Sequence, residues 1–297
     1  MNSYKISFLL LFFMFLYGCK IKENVLVKQH VEIQGHRGDR GNFPENTIPA
    51  FLSAIRKGVD VIEMDVVVSK DKKVVISHEA FMSSLYVQTP DGSAIAKEKE
   101  KSYSLYTMNY DSIKKFDSGS KGNALFPQQK KLKTYKPLLI EVIDSVEKRI
   151  ANNKHKRVTY NIEIKSDKKE YGISQPQPEE FVDLVMKVIH EKKIESFMNI
   201  QSFDPHILNV VHQKYPNVKV ALLTAKVGIN RNLSELTFVP QIYSPHYQLV
   251  NADFLDSLRA KQIKVIPWTV NTKKDIRKML DLKVDGIITD YPERILN

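Results

Sequence analysis

The chain has 297 residues, 42% hydrophobic and 27% charged, proportions that exclude disorder and fibrous repeats as its main architecture. Its 11 glycines and 13 prolines are too few for a collagen-like chain, and a lone cysteine, Cys19, excludes an internal disulfide framework and a cysteine-based zinc ribbon. The net charge of +11 is clustered at Lys130, Lys131, Lys133 and Lys136 and at Lys154, Lys156 and Arg157; no zinc-finger or RRM-type aromatic signature accompanies these runs, so a solvated basic face is expected and nucleic acid is not.

In chain order, Lys5 is followed by an apolar run from Ile6 to Leu16 that is too short to span a bilayer comfortably and reads as the core of a secretory signal. It ends in Leu16-Tyr17-Gly18-Cys19, which resembles the lipobox of bacterial lipoproteins, although Tyr17 is bulkier than the residue usual there. The lone cysteine falls where a lipobox needs one. The expectation is a signal peptide over 1–18, lipidation at Cys19, and a tether over 19–30. Two acyl chains suffice for stable anchoring, which makes the protein an exported, membrane-anchored lipoprotein facing the periplasm or the cell surface.

Residues 31–297 alternate short apolar strands with amphipathic helices. Strands are predicted over 31–36, 61–68, 160–165, 198–203, 218–224, 241–246, 264–270 and 286–289. Between them, Ile48, Phe51, Leu52 and Ile55 recur at helical spacing with Gly58 placed to end the helix. Leu139, Val142, Ile143, Val146 and Ile150 form a second stripe, and Phe181, Leu184, Val185 and Val188 a third. Asp204-Pro205 reads as a cap with proline at the first helical position, and Thr272 with Asp275 as a capping-box-like start. Eight such strands alternating with helices make an α/β fold, a (β/α)8 barrel.

Two segments break the alternation. Residues 66–69 and 73–77 are too close for a parallel crossover, so they form an antiparallel hairpin that brings His78 back toward Glu63 and Asp65. Residues 79–134 have weak periodicity and read as an insertion or lid, with tyrosines at 86, 103, 106 and 110. After the last strand only residues 291–297 remain, so the final helical position is expected to be short or filled by residues 20–30.

Active sites of such barrels gather at the carboxyl ends of the strands. Strand alternation sends Glu63 and Asp65 to one face with Met64 opposite, and sends Glu163 and Lys165 to a shared face. Three carboxylates in one mouth repel unless a cation sits among them; oxygen donors favour Mg2+ or Ca2+, with Mn2+ also compatible. Pairing with Arg37 and Lys165 is the structural alternative for the same residues. His36 and His78 at this mouth suit a division of labour as general acid and base. Arg37 can grip a phosphate bidentately, Lys165 can add a point charge, and Trp268 and Phe203 offer either a stacking wall or core packing.

The segments His36-Arg37-Gly38, Pro44-Glu45-Asn46-Thr47, Glu63-Met64-Asp65-Val66 and Ser77-His78 together resemble the signature of the glycerophosphodiester phosphodiesterase family. Glu163-Ile164-Lys165, Gln201-Ser202-Phe203, Trp268-Thr269-Val270-Asn271 and 285–292 extend the resemblance over about residues 33–293. It implies a TIM barrel with a hairpin-bearing insertion after the second strand, and metal-dependent cleavage of glycerophosphodiesters to sn-glycerol 3-phosphate and an alcohol. By resemblance His36 and His78 are the acid–base pair, and Glu63, Asp65 and Glu163 hold the metal. Arg37 and Lys165 contact the phosphate, and Glu45 and Trp268 complete the substrate side. The nucleophile is a water or the neighbouring glycerol hydroxyl. One departure is plain: Glu79 stands where the family usually has aspartate.

Two other readings remain open at this stage. A lysophospholipid or other lipid head-group diester would need an apolar groove beside the site, with Tyr103, Tyr106 and Tyr110 as candidates to line it. A catalytically silent binding lipoprotein would be expected to have lost a carboxylate or a histidine.

Overall fold

A computed structural model describes residues 30–153 and 157–296. The lipobox-like segment with Cys19, together with Lys154 and Lys156, therefore lies outside the described residues. The strands are β1 Glu32–Gly35, β2 Val61–Val68, β3 Val74–Ile76, β4 Thr159–Ile164, β5 Met198–Ser202, β6 Lys219–Thr224, β7 Ile242–Pro245, β8 Lys264–Val265 and β9 Gly286–Thr289. The helices are α1 Ile48–Lys57, α2 Tyr110–Ile113, α3 Leu139–Asn153, α4 Pro178–Lys192, α5 Pro205–Lys214, α6 Ile229–Leu233, α7 Ala252–Arg259, α8 Lys273–Asp281 and α9 Glu293–Leu296.

Eight strands run parallel in the order β8-β7-β6-β5-β4-β2-β1-β9, and β3 alone pairs antiparallel with β2. Backbone bonds join the two ends: Asp285 N–H donates to the Val265 carbonyl at 3.0 Å and Val270 N–H to the Ile288 carbonyl at 2.9 Å. The molecule is thus a (β/α)8 TIM barrel with a hairpin-bearing insertion after its second strand. The strand expected over 264–270 is regular only at Lys264–Val265, because Pro267 lacks the N–H needed to continue the ladder. Its neighbours still hold the edge, with Trp268 N–H donating to the Pro245 carbonyl at 3.0 Å.

The helices start and stop where local chemistry dictates. Thr47 caps α1, Pro49 sits in its first turn, and Gly58 ends it at φ 91°, a conformation that costs glycine nothing. The Asp204 carboxylate accepts the His206 N–H at 3.0 Å at the start of α5. Thr272 and Asp275 exchange bonds of 2.6 and 3.1 Å at the start of α8. The apolar faces of α1, α3 and α4 bury Phe51, Ile143 and Phe181 completely against the outward-facing side chains of the strands, Met64 among them. The last helical position holds only α9, tied to α1 by a Glu293–Lys57 ion pair of 2.6 Å.

The insertion has a core of its own. Val67 and Val75, on the outer face of the β2–β3 hairpin, pack with Met82, Tyr86, Val87, Leu105, Ile113 and Phe116. Its turns are mostly short 3-10 segments, which explains why no helical period marks it. Lys136, read above as part of a basic surface run, is instead buried, its position set by the chain turning inward ahead of α3. Among the described residues no helix is long and apolar enough to cross a membrane.

Candidate active site

The carboxyl ends of the strands enclose a cavity of about 160 Å3 lined by His36, Arg37, Arg40, Glu63, His78, Glu163, Lys165, Gln201, Phe203 and Trp268, among others. A wider depression of about 370 Å3 opens at the opposite end of the barrel and contains none of these residues. In this fold that end serves stability, so its size carries no functional weight.

Register assembles the acidic cluster. Asp65 on β2 pairs across with Glu163 on β4, and two-residue alternation puts Glu63 on the same inner face. Carboxylate oxygens of Glu63, Asp65 and Glu163 lie within 4.8 Å of one another, and all three residues are buried. Both Glu63 oxygens are held: Oε2 accepts the Arg37 backbone N–H at 2.8 Å and Oε1 accepts Gln201 Nε2 at 2.9 Å. Asp65 Oδ2 accepts Asn46 Nδ2 at 2.7 Å, while Oδ1 is buried with no hydrogen-bond partner among the described residues.

Burial, then Asp65 and Glu163, push the Glu63 carboxyl well above its ordinary range. Burial raises Glu163 too, against the pull of Lys165 at 2.7 Å. Asp65 moves the other way: burial is outweighed by Arg37, His78 and Lys165, which hold it ionised. A buried oxygen without a hydrogen-bond donor, beside two carboxyls whose ionisation burial opposes, is a donor set short of positive charge. A hard divalent cation supplies that charge, so these residues fit one.

Each histidine is backed by a carboxylate. His36 Nδ1 lies 2.6 Å from Asp290 Oδ1. Burial alone would raise Asp290, yet His36, Arg40 and the Asn271 amide bring it down to about 2, so at neutral pH it only accepts. His36 Nδ1 therefore carries the proton and Nε2 is left free. The His36 imidazole is itself lowered by burial, Asp290 opposing, which favours its neutral form. His78 Nδ1 lies 3.0 Å from Glu79 Oε1. The Glu79 side chain folds back onto its own sequence neighbour.

The cationic wall is as tightly held. Arg37 sits at φ 52° and Gly38 at φ 84°. Arg37 accepts that strained conformation because its N–H, its Nη1 on Glu45 at 2.6 Å and its Nε 3.2 Å from Asp65 all demand it. A Cβ on Gly38 would stand 2.6 Å from the Ala50 carbonyl carbon, so Gly38→Ala is expected to lower stability by about 2 kcal/mol or more. A chemical denaturation curve with unchanged slope and shifted midpoint is the check.

Of the residues expected at the site, His36, His78, Glu63, Glu163, Arg37, Lys165 and Trp268 line the cavity. Asp65 completes the cluster from just behind. Glu45 faces away from the cavity and grips Arg37 and Arg40, each at 2.6 Å. Trp268 is fixed by an indole N–H bond of 2.9 Å to the Ser244 carbonyl and meets Phe203 edge-on at 5.3 Å. None of the tyrosines proposed for a lipid groove lines this cavity. Tyr103 packs edge-on against Phe116 at 5.5 Å, Tyr110 donates to Glu141 at 2.7 Å, and Tyr106 lies under Lys72. The sequence reading missed Arg40 and, although it quoted Asn46 and the segment holding Asp290, gave no role to the Asn46 bond with Asp65 or to the partnership of Asp290 with His36, which no spacing rule singles out.

The barrel mouth thus joins an acidic cluster to two carboxylate-backed imidazoles and to the Arg37 and Lys165 cations, a set of groups suited to hydrolysing a phosphodiester. The model of the glycerophosphoryl diester phosphodiesterase family matches residues 36–294. A glycerophosphodiester phosphodiesterase of Caldanaerobacter subterraneus is 32% identical over 88% of this chain and 95% of its own. One from Bacillus altitudinis is 31% identical over 89% and 96%. A crystal structure of a putative glycerophosphoryl diester phosphodiesterase from Silicibacter pomeroyi superposes with a TM-score of 0.80 at 25% identity, covering 90% of this chain and 92% of that one. The chain belongs to the glycerophosphoryl diester phosphodiesterase family.

Proposed function

We propose that this protein hydrolyses glycerophosphodiesters to sn-glycerol 3-phosphate and an alcohol, with a divalent cation and a His36/His78 acid–base pair. The observation that carries the reading is the meeting of Glu63, Asp65 and Glu163 within 4.8 Å at a cavity lined by both histidines. Glu63, Asp65 and Glu163 would hold the cation, which when bound supplies Lewis-acid neutralisation of the diester charge. Arg37 and Lys165 orient the phosphate and stabilise the charge that develops on it. Asp290 and Glu79 each keep a histidine with Nδ1 protonated and Nε2 available. One histidine, neutral, accepts the proton of the attacking hydroxyl at Nε2; the other enters as the imidazolium and gives its Nε2 proton to the leaving alkoxide. Phe203 and Trp268, meeting edge-on at 5.3 Å, form the apolar side of the cavity.

The test is release of glycerol 3-phosphate from a panel of deacylated phospholipids with and without EDTA. Product from at least one diester, abolished by chelation and restored by Mg2+ or Ca2+, is the expected result. Metal binding with no product from any diester would instead point to a lipid substrate.

Lipid anchoring through Cys19 is part of the same proposal and rests on the lipobox-like residues 16–19 alone. Intact-mass measurement of the membrane fraction is expected to show a diacylglyceryl modification. Cys19→Ser should move the protein out of that fraction, and an unmodified, membrane-free wild type would remove the anchor.

A further inference from the structure

Behind His78 lies a buried polar cluster that proton transfer as described does not use. Tyr86 donates its hydroxyl to Glu79 Oε2 at 2.6 Å, the oxygen opposite the one facing His78. Lys136 Nζ donates to Ser77 Oγ at 2.9 Å and reaches the Tyr86 hydroxyl at 3.5 Å. It also lies 5.3 Å from the centre of the Tyr86 ring. Ser77 Oγ passes the chain on to the Glu79 carbonyl at 2.6 Å, and the Ser77 N–H donates to the Asp65 carbonyl at 3.0 Å. Lys136 and Tyr86 are 3% and 5% exposed.

Such a buried lysine is costly unless its charge has a use. Burial lowers the Lys136 ammonium, while Glu79, Glu45 and Asp65 pull the other way. Glu79 in turn is held well ionised, burial notwithstanding, by His78 and Lys136. The arrangement answers a specific problem. His78 and Glu79 are adjacent on a loop, with side chains 33% and 23% exposed, and a glutamate there is free to swing into solvent. The Tyr86 hydroxyl anchors its buried side directly, and Lys136, bonded to Ser77 and reaching Tyr86, adds its positive charge behind that contact.

We propose that Tyr86 and Lys136 are positioning residues, holding the Glu79 carboxylate against His78 so that its Nδ1 stays protonated and its Nε2 stays free toward the cavity. Tyr86 is part of the insertion's own apolar core, so the folded insertion sets the orientation of a histidine at the barrel mouth. The role presupposes that His78 moves a proton in turnover.

Tyr86→Phe keeps the ring in its core and removes only the donor. Its kcat is expected to fall about three- to tenfold with KM and Tm little changed. In protein with 15N-labelled histidine, the His78 ring signals, identified by their loss in His78→Gln, should move from the Nδ1-protonated pattern toward a tautomer mixture. Lys136→Met should act in the same direction. The double variant should be no slower than the worse single one, because both act through one carboxylate. Where Lys136→Met does not fold, Tyr86→Phe decides alone. Unmoved His78 nitrogen shifts in folded Tyr86→Phe, or a loss confined to KM, overturn the positioning role. Full turnover in His78→Gln is a different result: it removes the proton-transfer assignment itself.

Discussion

Alanine at His36 or at His78 is expected to lower kcat by about 10²–10⁴ while leaving KM for a glycerophosphodiester far less affected. The asymmetry follows from where each side chain is held. Both imidazoles are fixed through Nδ1 by a carboxylate, and the proposed mechanism gives the substrate charge to other groups, Arg37 and Lys165. Removing a ring therefore removes proton transfer and little of the binding. Asp290→Asn should reproduce most of the His36→Ala loss, since an amide no longer enforces the Nδ1-protonated tautomer. Steady-state kinetics on variants shown to be folded by circular dichroism is the measurement. Either alanine variant turning over within about tenfold of wild type would contradict the assignment.

Acid should act on the same pair. The His36 imidazole is lowered in the folded state, and the Asp290 carboxyl is lowered to about 2. In both cases the unfolded chain binds more protons over the window between the unfolded and folded values. Stability is then full above about pH 6.5 for His36 and above about pH 4 for Asp290. It falls as pH drops through those windows. His36→Gln should remove the upper part of that fall. A pH series of thermal melts reads it, and an unchanged upper slope in the variant would assign the sensitivity elsewhere.

What the sequence makes legible is set by periodicity. Eight short strands, the hairpin forced by the brief link around Asp71, and the shared face of Glu63 and Asp65 all follow from spacing that local rules interpret. The match of Asp65 to Glu163 follows once the strands are parallel neighbours. Contacts across long sequence separations follow no such rule. Asp290 reaches His36 across 254 residues, and Gln201 reaches Glu63 across 138. Lys136 shows how a residue type misleads: within Lys130, Lys131 and Lys133 it looks solvated, yet the chain buries it against Ser77 and Tyr86. Tyr103 and Tyr110 mislead in the opposite sense, since an aperiodic insertion gives no sign that it has a core for them to fill.

Glu163→Gln is expected to separate metal binding from folding. With no cation, Glu63 and Glu163 are both held above the ordinary carboxylate range, by burial first and then by acidic neighbours. The metal-free fold thus carries a repulsive, desolvated cluster that a neutral side chain relieves. Glutamine can keep an oxygen toward Lys165, now at 2.7 Å, and turn its amide toward Asp65 Oδ1, which has no hydrogen bond and only Lys165 at 3.9 Å. The metal-free variant should therefore melt no lower than wild type. Its affinity for Mg2+ or Ca2+ should fall by at least about 100-fold, given that loss of an outer-shell partner alone costs about 10–100-fold. A cation at 100 times its dissociation constant stabilises the wild type by about 2.7 kcal/mol, a shift the variant should not show at the same concentration. Differential scanning calorimetry with and without metal reads both halves. A variant that keeps the metal-induced rise would place the cation elsewhere, and one that melts well below the metal-free wild type would mean that Glu163 serves the fold through Lys165 rather than a cation.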